Sequence, residues 1–509
     1  MRPSPLAALA CAALFSLPAH AQDIDPKGCL YVNVASVPVH YTGPGLDLTM
    51  DGAINGAPAQ LLVDTGASET ALTRTGTEPR GMTLWSTGTS AVGIGGYSWI
   101  YRTRYKEFRA GPATATSGEL RVLHDFGVPP SFDGLLGAPF LLQSDLEFSL
   151  AEKEIRFFRP RNCGTERFMA YWDKDAVMVP FESNWSSSPN PRFTVLLNGK
   201  RMDAIIDSGA SVTSITLDAA KRAGLKLDAP NVERLGESSG VGDARVTRWG
   251  ATFATLQIGS EIIRNAEVGV LDASFGHIDL LLGADFLRAH RVLFAMSQRR
   301  LYISYVGGEP LGQRRGIEPW MLKEAESGNS DAQMMLSSIY RHGRGVAADP
   351  AQARAWFDRA AAAGNPRANF TIGRAAMGRG DYQEAARRLR TGLRGLAGDR
   401  IAALWLYVVR LRLGEGEAAR ADLEKTFARD SNDQWPKPVA RYLLGKRSLD
   451  DVLDDARDDK PRANGQVCFA RTAIAEYHAA LGELDKAKTM LAQRPECGPQ
   501  QTPEDTEDS

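Results

Sequence analysis

The chain has 509 residues, 43% of them hydrophobic, and a formal net charge of −1. That length suits about three domains of ordinary size, and the composition is that of a globular protein. The near balance of charge excludes the basic footprint of a nucleic-acid binder, so no nucleic-acid partner is expected.

The chain opens with Arg2, an apolar run from Leu6 to Leu17 and then Ala19-His20-Ala21. This is the form of an export signal cut after a small-x-small site, which places residues 1–21 in a signal peptide and the mature start at Gln22. A lipoprotein reading at Cys11 fits less well, because Leu9 is one position out of place and the apolar run continues past the cysteine. No later run approaches the roughly 18 apolar residues of a membrane span; residues 401–409 are stopped by Arg410. The expectation is an exported protein, periplasmic or secreted, with no transmembrane segment.

Four cysteines then remain, Cys29, Cys163, Cys468 and Cys497, an even number suited to an oxidising compartment. Of the three pairings, Cys29 with Cys163 and Cys468 with Cys497 is preferred, because each pair brackets one expected structural unit. With no CxxC and no histidine-cysteine cluster, neither a metal site nor a cofactor is expected.

An internal repeat organises the first 306 residues. INGAPAQLLVDTGAS at residues 54–68 and LNGKRMDAIIDSGAS at 197–211 align without a gap. In each, an Asn-Gly pair precedes an apolar run that ends in an aspartate, Asp64 or Asp207, which predicts a tight hairpin turn and then a strand delivering the aspartate at its end. Glycine-rich stretches follow 29 and 33 residues later, at Gly93, Ile94, Gly95 and Gly96 and at Gly240, Val241 and Gly242. They are read as hairpin tips. DGLLGAPFL then starts 69 residues after Asp64, and DLLLGADFL 72 residues after Asp207. Each copy closes on alternating apolar residues, Leu146, Phe148 and Leu150 or Val292, Phe294 and Met296, the pattern of half-buried strands. Three features in one order, twice, mark a duplicated β-rich unit, with lobes expected at residues 30–160 and 180–306.

A carboxylate at the end of a buried strand needs partners. Thr65 and Ser208 offer hydroxyls, while Gly66 and Gly209 let the backbone turn and approach another segment closely. Were the lobes paired about a pseudo-two-fold axis, Asp64 and Asp207 would lie close enough to share one proton. One carboxylate would then take a proton from water while the other carboxyl polarises a carbonyl, which is hydrolysis without a covalent intermediate.

Over residues 45–305 the sequence resembles the retropepsin-like aspartic proteases, in particular bacterial exported proteins with duplicated lobes. The resemblance implies a catalytic dyad of Asp64 and Asp207, supported by Thr65, Gly66, Ser208 and Gly209. It implies that Leu135-Leu136-Gly137 and Leu281-Leu282-Gly283 cross behind the aspartate loops. It also implies that Gly95, Gly96, Gly240 and Gly242 belong to flaps closing over an extended peptide substrate. The sequence departs from the pattern where Leu280 stands in the place of Gly134 and Asp285 in the place of Pro139, and Tyr97 lies near, rather than at, the flap tyrosine of pepsin-like enzymes.

Competing motifs are weaker. Gly236-Glu237-Ser238-Ser239-Gly240 matches G-x-S-x-G, but among polar residues before a hairpin and not between a strand and a helix. His124, His277 and His290 are isolated, which suits packed or solvated residues better than a catalytic base.

From about Pro319 the composition turns to alanine, leucine and arginine at helical spacing, so an all-α module is expected over 319–497. Residues 331–370 pair two helices around the turn from His342 to Val346 and resemble a Sel-one-like repeat. Residues 368–396 and 470–491 resemble degenerate tetratricopeptide repeats. Such pairs must stack to bury their apolar faces, and the stack offers a surface for a protein partner or a scaffold for the lobes. Trp356, Phe357, Trp405 and Tyr407 are assigned to its core. Residues 498–509 read as a disordered acidic tail.

Two all-β acid-protease lobes followed by an all-α repeat domain are therefore expected, with the activity of an aspartic endopeptidase. The rival is a non-catalytic peptide-binding or assembly protein with a pseudo-protease cleft. The oligomeric state is open, including lobe pairing between two molecules.

Overall fold

A computed structural model describes residues 28–124, 126, 130–184, 188–242, 244–312, 316–395, 400–428, 435–458 and 463–495. The expected signal peptide, Cys497 and the acidic tail lie outside the described residues. The chain divides into two compact units, one up to Met321 and the other from Leu322.

The first unit holds both lobes. Lobe one comprises β1 (Leu30–Pro38), β2 (His40–Thr42), β3 (Asp47–Ile54), β4 (Ala57–Val63), β5 (Ala71–Thr73), α1 (Arg74–Thr77), β6 (Trp85–Gly93), β7 (Gly96–Ala110), β8 (Ala113–Leu123), β9 (Gly134–Leu136), α2 (Ala138–Leu141), β10 (Asp145–Ser149) and β11 (Glu154–Arg161). Lobe two comprises β12 (Val177–Pro180), β13 (Glu182–Asn184), β14 (Ser188–Leu197), β15 (Lys200–Ile206), β16 (Ser214–Thr216), α3 (Leu217–Arg222), β17 (Val232–Ser238), β18 (Val246–Ile258), β19 (Glu261–Leu271), β20 (Leu280–Leu282), α4 (Ala284–Ala289), β21 (His290–Ala295) and β22 (Arg300–Tyr305).

Each lobe builds an eight-stranded sheet, and the two orders correspond strand for strand: β2-β3-β4-β9-β5-β8-β7-β6 and β13-β14-β15-β20-β16-β19-β18-β17. The Asn-Gly pairs turn with positive φ at both residues, 53° and 79° at Asn55 and Gly56, 48° and 74° at Asn198 and Gly199, the twist a two-residue hairpin needs. The strand after each turn runs parallel to the Leu-Leu-Gly strand, β4 with β9 and β15 with β20. Asp64 and Asp207 therefore leave their strands beside Leu136 and Leu282, whose carbonyls accept from the aspartate N–H groups at 3.1 and 2.8 Å.

A third sheet, β1-β11-β10-β21-β22-β12, takes strands from both lobes, joined where Leu146 and Phe148 face Phe294 and Val292. Here the expectation of half-buried strands is corrected, because all five residues of β10 are buried. Its polar members are covered by partners. Glu147 accepts from Arg156 and Arg291 at 2.9 and 2.8 Å, and Asp145 accepts from the Ser297 N–H and hydroxyl, both at 3.0 Å. A buried carboxylate is tolerated only when paired in this way. Met296 lies in the turn beyond β21. Cys29 and Cys163 are joined by a disulfide that closes the N-terminal strand onto the end of β11.

The second unit is all-helical. Helix α5 (Pro319–Glu326) leads into it, followed by α6 (Ser330–His342), α7 (Pro350–Ala362), α8 (Pro366–Gly378), α9 (Tyr382–Gly395), α10 (Arg400–Arg412), α11 (Gly416–Ala428), α12 (Lys437–Leu443), α13 (Leu449–Asp458), α14 (Ala463–Ala480) and α15 (Leu484–Ala492). Side chains of Asn329, Asp349 and Asn365 cap α6, α7 and α8 by accepting from free N–H groups of the first turn, as helix starts require. Trp405 and Tyr407 are buried in the main core of this unit, Phe357 in a smaller cluster beside α7, and Trp356 is also buried. Cys468 is disulfide-bonded, and Cys497, the partner expected for it, lies outside the described residues.

Candidate active site

The two aspartate loops meet at the centre of the first unit, each held in the same way. Asp64 Oδ1 accepts from the N–H groups of Gly66 and Ala67 at 3.0 and 2.9 Å. Asp207 Oδ1 accepts from Gly209 and Ala210 at 2.9 and 3.2 Å. Beneath them the next residues clasp reciprocally. The Thr65 hydroxyl donates to the Ile206 carbonyl at 2.7 Å and accepts from the Ser208 N–H at 3.0 Å. The Ser208 hydroxyl donates to the Val63 carbonyl at 2.6 Å and accepts from the Thr65 N–H at 3.0 Å. Both side chains are fully enclosed, so these four bonds tie the lobes together away from competing water.

The glycines allow the approach. A Cβ on Gly66 would stand 2.3 Å from Asp207 Cγ, and one on Gly209 would stand 2.5 Å from Asp64 Cγ. Each carboxyl thus sits against the other loop's glycine, and the two carboxyls interact directly. Burial, then the neighbouring Asp207, pushes Asp64 well above the ordinary carboxylate range; burial also raises Asp207, against the pull of the Gly209 N–H. Both groups remain half-buried rather than sealed. Two adjacent carboxylates do not readily ionise together, so burial and the neighbouring charge favour a proton shared between them, and the titration steps belong to the pair.

The other sequence candidates are distributed as follows. Gly95 lies in the turn between β6 and β7, Gly96 opens β7, and Gly240 and Gly242 lie in the link between β17 and β18. Ser238 ends β17, away from any strand-to-helix turn. Tyr97 faces solvent beside Val92 on the lobe-one hairpin. His290 is enclosed, bonded to the Phe286 carbonyl and to Glu261.

Two residues that support the aspartate loops were given no such role from the sequence. Asn190, buried on β14, donates its amide to the Thr65 carbonyl. Asp285 accepts from the Thr213 N–H and hydroxyl, both at 2.7 Å, and from the Phe286 N–H at 2.8 Å. Burial pushes Asp285 up to about 6. The threonine six residues past each aspartate was a visible signal for this brace, since Thr70 likewise accepts from the Gly137 N–H.

Residues 50–140 match the aspartyl protease family, and residues 193–289 match the gag-polyprotein aspartyl protease family. Residues 330–365 match the Sel1 repeat, over α6 and α7. The chain thus carries two retropepsin-like aspartyl protease domains followed by a Sel1 repeat within an all-helical region. Among solved structures it is similar to the aspartic proteinase from Irpex lacteus, at 15% identity over 55% of this chain and 99% of that chain, with a TM-score of 0.34. No curated protein sequence matches.

Proposed function

We propose that the protein is an aspartic endopeptidase in which Asp64 and Asp207 activate water to hydrolyse a peptide bond. The observation that carries this reading is the mutual seating of the two carboxyls, each against the other loop's glycine, with both pushed upward by burial. One carboxyl of the pair keeps the shared proton and the other is the base. The base takes a proton from water as the water oxygen bonds to the carbonyl carbon, and the protonated member donates to the carbonyl oxygen. The tetrahedral diol then collapses. Its C–N bond breaks, the departing nitrogen gains a proton, and the dyad returns with one proton between its members. Thr65, Gly66, Ser208 and Gly209 fix the carboxyl positions, and the hairpins ending at Gly95–Gly96 and Gly240–Gly242 cover an extended peptide. Metal and cofactor play no part in this scheme.

Residues 1–21 act as an export signal in this reading, delivering the protein to the periplasm or the exterior. The Cys29–Cys163 disulfide supports an oxidising compartment, and no described helix is long and apolar enough to cross a membrane. The helical unit serves as a surface for a protein partner, as stacked repeats commonly do.

Asp64→Asn and Asp207→Asn keep the size of each side chain and remove the acid-base pair. Each should abolish cleavage while circular dichroism and thermal unfolding show a folded protein; full activity in either variant refutes the dyad.

A further inference from the structure

Helix α4 holds the Asp207 loop at three backbone groups. The Ala284 N–H donates to the Ala210 carbonyl at 2.7 Å, Asp285 accepts from the Thr213 N–H at 2.7 Å, and between these two an Arg288 guanidinium N–H reaches the Ser211 carbonyl at 3.4 Å. The Ala210 N–H is in turn a donor to the Asp207 carboxylate. The first contact recurs in lobe one, where the Ala138 N–H donates to the Ala67 carbonyl at 2.9 Å. The arginine does not recur: its place in the repeat is taken by the fully buried Leu142. A lobe of this kind therefore folds without it.

What Arg288 meets is a segment that follows the last strand of lobe two. Its guanidinium lies 4.1 Å from the centre of the Trp320 ring and 6.0 Å from that of Tyr41, and the two rings are 4.9 Å apart. Tyr41 is buried on β2 of lobe one, while Trp320 stands in the first turn of α5, its indole N–H fixed by Glu318 at 2.8 Å. The chain leading to Trp320 also lies against α4. Leu311 is buried, and a Cβ on Gly312 would stand 3.2 Å from Asp285 Cβ and 3.3 Å from Glu318 Oε1. Stacking on an indole fixes the plane of a guanidinium and leaves its in-plane N–H groups free to donate. The long bond to Ser211 is thus aimed by the ring beneath it.

We propose that Arg288 and Trp320 are positioning residues for Asp207. The first turn of α5 completes the support of the lobe-two aspartate loop, a support that the lobe-one loop does without. The consequence for cleavage rests on the endopeptidase reading; the support of the loop does not.

The test compares the full-length protein with Trp320→Leu, Trp320→Phe, Arg288→Met and the Arg288→Met/Trp320→Leu pair, each checked for folding by circular dichroism. Amide hydrogen exchange by mass spectrometry is read on peptides spanning 207–213, with 64–70 as the internal reference. The constants kcat and KM are read on a peptide that the wild type cuts. Trp320→Leu and Arg288→Met should each accelerate exchange over 207–213 about tenfold and leave 64–70 unchanged. Each should lower kcat about tenfold with KM within about twofold, and the pair should lose little more than either single variant. Trp320→Phe keeps an aromatic face for the guanidinium and should stay within about threefold of the wild type in both readouts. Arg288→Met, an apolar residue where lobe one has one, carries the test if Trp320→Leu does not fold.

Unchanged exchange over 207–213 in Trp320→Leu and Arg288→Met would overturn the proposal while leaving the endopeptidase reading intact. Equal acceleration in both loops, or a Trp320→Phe variant as impaired as Trp320→Leu, would reduce the ring to general packing and overturn it as well. A raised KM with unchanged kcat would place these residues against the peptide and not behind Asp207. Exchange that responds in the expected order, with no cleavage by any form, upholds the support and refutes the endopeptidase.

Discussion

Replacing Thr65 with valine removes one hydroxyl and little else, in the place where the two lobes are clasped. The Ser208 N–H and the Ile206 carbonyl then lose the partner they hold at 3.0 and 2.7 Å, in surroundings where Thr65 and Ser208 are 0% and 2% exposed. An orphaned buried group costs about 1–3 kcal/mol, so the pair costs about 2–6 kcal/mol. Thr65→Ser keeps the hydroxyl and loses a methyl, a change of about 1 kcal/mol. Amide hydrogen exchange by mass spectrometry on peptides spanning Ser208 reads the difference directly. Exchange there should accelerate about thirtyfold or more in Thr65→Val and less than tenfold in Thr65→Ser. Ser208→Ala orphans the Thr65 N–H and the Val63 carbonyl in the same way. Because the clasp is shared, the double variant should cost less than the sum of the singles, by about 0.5–3 kcal/mol. Equal exchange in Thr65→Val and Thr65→Ser, or strict additivity in the double variant, would refute the reciprocal clasp.

Other perturbations reach the same centre. Gly66→Ala drives a Cβ to 2.3 Å from Asp207 Cγ, and a displacement of that order should cost about a hundredfold in kcat/KM, measured on any peptide the wild type cuts. Asp285 is raised from 3.8 to about 6. Its contribution to stability is therefore fully present below about pH 4 and is lost as pH rises through about 6, a change of about 3 kcal/mol that urea unfolding at several pH values should show in the wild type and not in Asp285→Asn. The dyad is raised as well, so activity should fall at the alkaline side as the shared proton leaves and at the acid side as the second carboxylate is protonated, giving a bell-shaped kcat/KM profile. The Cys29–Cys163 bridge closes a loop with a sequence separation of 134. Removing it as Cys29→Ser/Cys163→Ser should destabilise the first unit by up to about 5 kcal/mol, read as a lower Tm by calorimetry.

The repeat carried most of what the sequence could say. Asn-Gly turns, apolar strands and Leu-Leu-Gly segments are local signals with fixed spacing, so duplication alone revealed two lobes with equivalent aspartate loops. Strand pairing between lobes has no such signal. Alternation in β10 suggested one wet face, whereas Glu147 and Asp145 are covered by Arg291 and Ser297 from lobe two, more than a hundred residues away in sequence. Asp285 read as a departure from the repeat because its partner, Thr213, is close only after β16 and β20 have paired. Asn190 and Phe126 were invisible for the same reason: each acts on a backbone of the other lobe. In the helical unit the capping residues and periodic apolar faces are local, so an all-helical region was legible in the sequence.

The most direct measurement incubates the purified mature protein and its Asp64→Asn variant, matched for folding, with a diverse peptide mixture from about pH 4 to pH 7. New termini are read by mass spectrometry. Cleavage by the wild type alone, falling at the alkaline end, is the predicted result. Cleavage by both proteins, or by neither at any pH, would contradict the assignment of Asp64 and Asp207 as an acid-base pair.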